Sequence, residues 1–177
     1  MKSEKDLDLH RMRHSAAHVM AAAVCRLYDD VQLDIGPATD DGYYYDFDLP
    51  HRLTPDDFPR IENEMRVLIE EDLPFVRREV SRDEAREILK GQTYKLERLD
   101  DIPEGEPITF YSCGEFADLC RGPHLESTGQ IKAFKLLSVA GSYYRGKETN
   151  PMLQRLYGTA NVNDKQIRVY LKQLEQA

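Results

Sequence analysis

Cys120-Arg121-Gly122-Pro123-His124 cannot continue a helix, because Gly122 and Pro123 interrupt the run between two side chains set four residues apart. The segment reads as a tight turn, entered from Glu115-Phe116-Ala117-Asp118-Leu119. About a hundred residues upstream, His14 and His18 have the same separation in a stretch that does read as helix. On a helix such a pair points one way, with Cβ atoms about 6 Å apart. The helical His-x-x-x-His and the looped Cys-x-x-x-His leave two readings open. The four side chains could close a tetrahedral nitrogen and sulfur metal site, or they could line a polar cleft that orients a substrate and a water.

The helix is predicted over residues 11–28, where Met12, Ala16, Val19, Met20, Ala23 and Leu27 form an apolar stripe. His14 and His18 fall on the other side of the cylinder. Cys25 shares their angular face but lies about 10 Å beyond His18 along the axis, so it reads as a packed thiol. Residues 31–49 read as a hairpin. Gly36-Pro37 and Asp41-Gly42 mark turns, and Tyr43, Tyr45 and Phe47 share one face of a strand.

A second helix is expected from about residue 58, stopped by Pro74, and a strand follows over 75–80. Ser81-Arg82-Asp83-Glu84 is a capping box whose helix ends at Gly91. The segment from Thr93 to Leu99, with Lys95, fits either a strand or a short helix. Strand signals follow at Ile108–Tyr111, within Gly129–Tyr144, and at Leu153–Tyr157. Asn163 then caps a last helix with Ile167, Tyr170, Leu171 and Leu174 inward and no stop signal, as in a chain that continues. The order predicts an α+β fold, an antiparallel sheet with helices packed on it.

At 177 residues the chain can bury a real core. Its 32% charged residues and the want of any apolar run near the roughly 20 residues of a membrane span argue against a membrane partner. Three scattered cysteines (Cys25, Cys113 and Cys120) suit reduced thiols and a cytoplasmic location better than a disulfide framework. The net charge is −8, but it is uneven. Asp29 to Asp72 holds fourteen acidic and three basic residues, whereas Gly129 to Gly158 holds five basic residues and one acidic. The basic region could meet a phosphate backbone, or both regions could be ordinary solvated faces.

The motifs, taken in order, resemble the editing domain of bacterial-type threonyl-tRNA synthetases, which is related to the editing domains of alanyl-tRNA synthetases. They are His14-Ser15-Ala16-Ala17-His18, Ile35-Gly36-Pro37 with Asp41-Gly42-Tyr43-Tyr44-Tyr45-Asp46, and Asp118 to His124. Phe134-Lys135-Leu136, Gly141 to Gly146 and Met152 to Ala160 follow. Tyr144 and Asn161 stand where such domains often carry tryptophan. The resemblance implies an N-terminal extension or linker over 1–9, the editing domain over 10–160, and over 161–177 the start of a linker helix toward an aminoacylation core absent from this sequence.

The implied reaction is hydrolysis of mischarged seryl-tRNA(Thr). A threonine site accepts serine, and one missing methyl is worth only about 1–3 kcal/mol, so a second sieve is needed. By resemblance His14, Lys95 and Asp118 act on the water, the developing oxyanion or the substrate, while His18, Tyr45, Cys120 and His124 line the pocket. Lys132, Lys135 and Arg145 are the expected tRNA-binding residues. Editing implies no required cofactor. Zinc stays open as a ligand of His14, His18, Cys120 and His124, and ATP and a catalytic zinc belong to the missing core. The implied partners are the 3′ acceptor end of tRNA(Thr) carrying serine and the rest of the synthetase in cis, with this chain a monomer and the parent a homodimer. Two other readings are kept: a freestanding zinc-dependent aminoacyl-tRNA deacylase, and a non-catalytic module that seats the acceptor end.

Overall fold

Helix α1 (Glu4–Leu27) is the axis of the molecule in the computed structural model, which describes residues 3–176. It starts seven residues earlier than its apolar stripe predicts. Ser3 Oγ accepts the Asp6 amide and the Asp6 carboxylate accepts the Ser3 amide, so a capping box anchors the polar first turns. From Ser15 to Val24 every residue is buried. Layers therefore cover both faces of α1, and the face that carries His14 and His18 looks into the protein. The low-profile run Ala21-Ala22-Ala23 lets those layers approach closely.

One layer is a four-stranded antiparallel sheet in the order β1-β2-β7-β6. Its strands are β1 (Gln32–Leu33), β2 (Tyr43–Asp48), β6 (Ala133–Tyr143) and β7 (Met152–Asn161). The expected hairpin over 31–49 is present: Gln32 pairs with Asp48 and Leu33 with Phe47. Tyr43, Tyr45 and Phe47 face the core as the alternation predicts. Helix α2 (Phe58–Glu70) packs along α1 and sends Ile61, Met65 and Leu68 into the same core, and its Glu62 carboxylate accepts the Leu136 amide of β6.

The remaining strands form a second antiparallel sheet, where one was expected. β3 (Val76–Val80), β4 (Ile108–Cys113) and β5 (Phe116–Leu119) pair in that order. Helices α3 (Arg82–Ile88) and α4 (Thr93–Asp100) bridge β3 and β4 and close a separate small core with Val80, Ala85, Leu89, Leu99, Ile108 and Phe110. The ambiguous segment around Lys95 is thus helical. α4 is docked by glutamines: Gln92 accepts the Leu33 amide and donates to the Val31 carbonyl, and Gln32 accepts the Thr93 amide.

Helix α5 (Asp164–Gln176) starts where Asn163 Oδ1 accepts the Gln166 amide. Its expected inward face is only partly realised. Ile167 is buried, Tyr170 and Leu171 are half-buried, and Leu174 is exposed, because the helix packs on β6 and β7 through its first turns and then overhangs them. Tyr144 is buried against Tyr94 and Leu153. Among the described residues no helix is long and apolar enough to cross a membrane.

Candidate active site

Seven residues predicted from sequence meet where α1, β2, α4 and β5 converge. The spacing on α1 aims His14 and His18 at the same neighbours. Alternation along β2 sends Tyr45 inward, and α4 brings Lys95 across from the small sheet. On β5 alternation buries Asp118 between an exposed Ala117 and a half-buried Leu119. Past the end of β5 the ladder continues for one residue: Cys120 N–H donates to the Thr109 carbonyl and Thr109 Oγ donates to the Cys120 carbonyl, at 3.0 and 2.6 Å. That pair holds the start of the Cys120–His124 turn. Gly122, at φ +79°, lies so close to Tyr111 that a Cβ would stand 2.5 Å from its hydroxyl.

The acidic half of the site is centred on Asp118, which is 6% exposed. Tyr45 Oη donates to Oδ2 at 2.9 Å. Lys95 Nζ stands 2.6 Å from Oδ1, a buried ion pair. His18 Nδ1 lies 4.0 Å from Oδ2. Burial pushes the Asp118 carboxyl up, but Lys95, His18 and the Tyr45 hydroxyl together outweigh it and hold it below the usual carboxylate range. Burial presses the His18 imidazole down to about 4, and its Nε2 has no partner among the described residues. Gly36 faces the Tyr45 ring with no room between them, and a Cβ there would overlap it.

The sulfur half gathers around Cys120. Both His14 Nε2 and His124 Nε2 lie 3.4 Å from Sγ, and the Gly122 amide donates to it at 3.3 Å. The two imidazoles stack with centroids 4.2 Å apart, and Phe75 covers the other face of His124 at 5.0 Å. Burial raises the Cys120 thiol to about 11, with Asp118 adding to the rise, so it is a neutral thiol at neutral pH. Burial lowers both histidines, His124 to about 2 with help from His14 and His18.

The donor atoms of His14, Cys120 and His124 all lie within 4.8 Å of one another, which suits a three-ligand metal site. The fourth expected donor, His18, does not join them. It is turned toward Asp118 and sits edge-on to Phe75 and Phe116.

The expected tRNA-binding residues are not gathered. Lys132 is exposed near the start of β6, Lys135 pairs with Glu62 at 3.2 Å, and Arg145 pairs with Asp101 at 2.6 Å. The eight strand steps from Lys135 to the end of β6 at Tyr143 span about 25 Å, and Arg145 lies in the turn beyond it. Arg145 instead borders a cleft of about 670 Å³ with Asp48, Tyr94, Glu97 and Asp101, which contains none of the histidine and cysteine side chains. Sequence reasoning missed Ser15, Phe75 and Tyr111, the residues that pack or bond His124. Only Ser15 had a signal, its place beside His14.

Residues 108–157 match the threonyl and alanyl tRNA synthetase second additional domain, a span that includes Asp118, Cys120 and His124. The chain is 54% identical over 170 residues to the threonine–tRNA ligase of Dehalococcoides mccartyi strain BAV1, covering 96% of this chain and 29% of that protein. It is 55% identical over 168 residues to the threonine–tRNA ligase of Geobacillus kaustophilus, covering 94% and 26%. The Thermotoga maritima threonine–tRNA ligase is 55% identical over 168 residues, covering 93% and 26%. The chain thus spans between a quarter and a third of the length of the curated relatives it matches.

Proposed function

The chain is a homologue of a segment of the threonine–tRNA ligases, and on that premise we propose that it is their editing module, hydrolysing the ester of seryl-tRNA(Thr). The observation that carries the reading is the buried ion pair of Lys95 and Asp118 beside an imidazole and thiol cluster. Ester hydrolysis needs a placed water and a positive group where the oxyanion develops. The Lys95 ammonium supplies that charge. Asp118 and the Tyr45 hydroxyl fix its position, and the Asp118 carboxylate is also a partner for the α-ammonium of the aminoacyl group. His14 orients the water or the terminal ribose. A neutral Cys120 thiol favours attack by water over a covalent thioester. Discrimination of serine from threonine is assigned to the Tyr45 and His18 side of the site, where a substrate side chain would meet both rings.

On this reading the tRNA(Thr) acceptor end is the partner, and the remainder of the synthetase, in cis and in the cytoplasm, supplies the ATP-dependent ligase site and the dimer contacts. Of the three expected tRNA-binding residues, Lys132 is the one without an ion pair among the described residues, since Lys135 and Arg145 are paired. A zinc-dependent deacylase is the second reading, favoured by the converging donors of His14, Cys120 and His124. When bound, zinc would supply an activated water there.

The test is deacylation of seryl-tRNA(Thr) beside threonyl-tRNA(Thr), with His14→Ala as control and each reaction repeated after chelator treatment. Cleavage of the seryl ester alone, lost in the variant and indifferent to chelator, is the expected result. Equal cleavage of both esters, or of neither, overturns the editing reading. Activity that disappears with chelator and returns with zinc moves the assignment to the second.

A further inference from the structure

The buried hydroxyl of Ser15 has no exposure to solvent and two contacts among the described residues. The Leu125 amide donates to Oγ at 2.9 Å, and Oγ lies 3.0 Å from His124 Nδ1. A serine hydroxyl carries one hydrogen and two lone pairs. The amide takes one lone pair. The hydroxyl hydrogen needs an acceptor, and no carbonyl of the preceding turn of α1 takes it among the described residues. His124 Nδ1 is the acceptor available. Were Nδ1 to carry a hydrogen instead, the hydroxyl hydrogen would be buried without a partner.

We infer that Ser15 is a positioning residue that fixes His124 as the Nε2–H tautomer, and so makes it a hydrogen-bond donor at the pocket instead of a metal ligand.

The partner imidazole is fixed the opposite way. His14 Nδ1 lies 3.1 Å from the Pro123 carbonyl, which can only accept, so His14 carries its hydrogen on Nδ1 and presents a bare Nε2 to Cys120. The hydrogens then run in one direction, each used once. The Leu125 amide donates to Ser15, Ser15 to His124 Nδ1, His124 Nε2–H to Cys120 Sγ, the Cys120 thiol to His14 Nε2, and His14 Nδ1–H to the Pro123 carbonyl. The chain starts and ends on the backbone of the same turn, so a change at Ser15 is felt at His14 without moving it.

A metal held by His14, Cys120 and His124 needs lone pairs at both Nε2 atoms and a deprotonated thiol. That requires the other tautomer of His124 and strands the Ser15 hydroxyl hydrogen. The donor reading rests on the editing assignment for its catalytic meaning, with His124 Nε2–H free to shift from sulfur to a developing oxyanion. The tautomer itself does not depend on that assignment.

The experiment is ¹⁵N-histidine NMR on this chain at neutral pH, read with cobalt(II) titration monitored by absorbance. In the unsubstituted protein His124 is expected to show a protonated Nε2 and a bare Nδ1, and His14 the reverse. Ser15→Ala should give a mixture of His124 tautomers and bind cobalt at least tenfold more tightly. Ser15→Thr, which keeps the hydroxyl, should restore the original pattern. Protonation of His124 at Nδ1 in the unsubstituted chain overturns the inference even if Ser15→Ala does not fold. So does a Ser15→Ala protein with unchanged tautomer and metal affinity. Failure of seryl-ester cleavage with the expected tautomers would count against the editing assignment alone.

Discussion

Two buried aspartates, Asp46 and Asp118, are answered by cations in different ways. Asp46 on β2 meets Arg155, its cross-strand neighbour on β7, through two parallel bonds of 2.8 and 3.0 Å. The guanidinium also lies over the Tyr44 ring at 4.0 Å. Asp34 and Arg98 repeat the same fork. These pairs are closed, with every oxygen answered by one planar partner. Asp118 is answered singly by Lys95, Tyr45 and His18, from three different elements, and the far nitrogen of His18 has no partner among the described residues. Their carboxyls also move apart. Burial raises Asp46 despite its arginine, whereas Asp118 is lowered by its partners against a stronger burial. A closed fork suits holding a sheet together. An open cluster with capacity left over suits binding something that is yet to arrive.

The largest expected effect breaks the open cluster. Lys95→Met should reduce seryl-ester hydrolysis by about 10³-fold, the scale of removing one group that stabilises the developing charge. Single-turnover deacylation on protein checked for folding by circular dichroism measures it. A loss below tenfold would remove Lys95 from the chemistry.

The closed fork should respond the other way. Arg155→Met leaves Asp46 buried without its partner, and is expected to cost about 3 kcal/mol of stability, toward the low end for a broken buried pair because the guanidinium is partly solvated. Urea unfolding reads that loss. The hydrolysis rate per folded molecule should stay within about threefold. Equal damage to rate and stability by both substitutions would erase the distinction between the two aspartates.

How much of this contrast is legible in the sequence depends on the distance over which it is made. His14 and His18 follow from helical spacing, and the inward side of Tyr45 from strand alternation, because both are local periodicities. The Cys120 turn follows from Gly122-Pro123. The early start of α1 is also legible, since Ser3 and Asp6 have the capping spacing ahead of the apolar stripe. Lys95 was not. Its eight-residue helix has no side-chain cap and is set down by Gln92 and Gln32 reaching across to the β1 region. The division into two sheets was hidden for the same reason, since alternation shows which face of a strand is buried but not which strand lies beside it. Ser15 is the instructive miss. A serine between two histidines has no periodic signature, and its role depends on a turn more than a hundred residues away.

The smallest expected effect sharpens the comparison through pH. His18 has its imidazole lowered to about 4 from 6.5, chiefly by burial and against the pull of Asp118. Between those two values the unfolded chain binds a proton at this position that the folded chain refuses. Stability then rises with pH, and acidification removes about 1.4 kcal/mol per pH unit for this one residue. His14 and His124 are lowered too and act in the same direction as pH falls below 6.5, His124 down to about 2. Asp118 adds its own loss only further down, as pH falls below the 3.8 of an ordinary carboxyl. His18→Phe keeps an aromatic ring between Phe75 and Phe116 while removing the proton. Urea unfolding at pH 7, 6 and 5 should show a stability slope reduced by about one proton in the variant. An unchanged slope would mean that His18 is already charged in the folded protein, paired with Asp118 as tightly as Arg155 is with Asp46. The cluster would then be a closed structural pair after all.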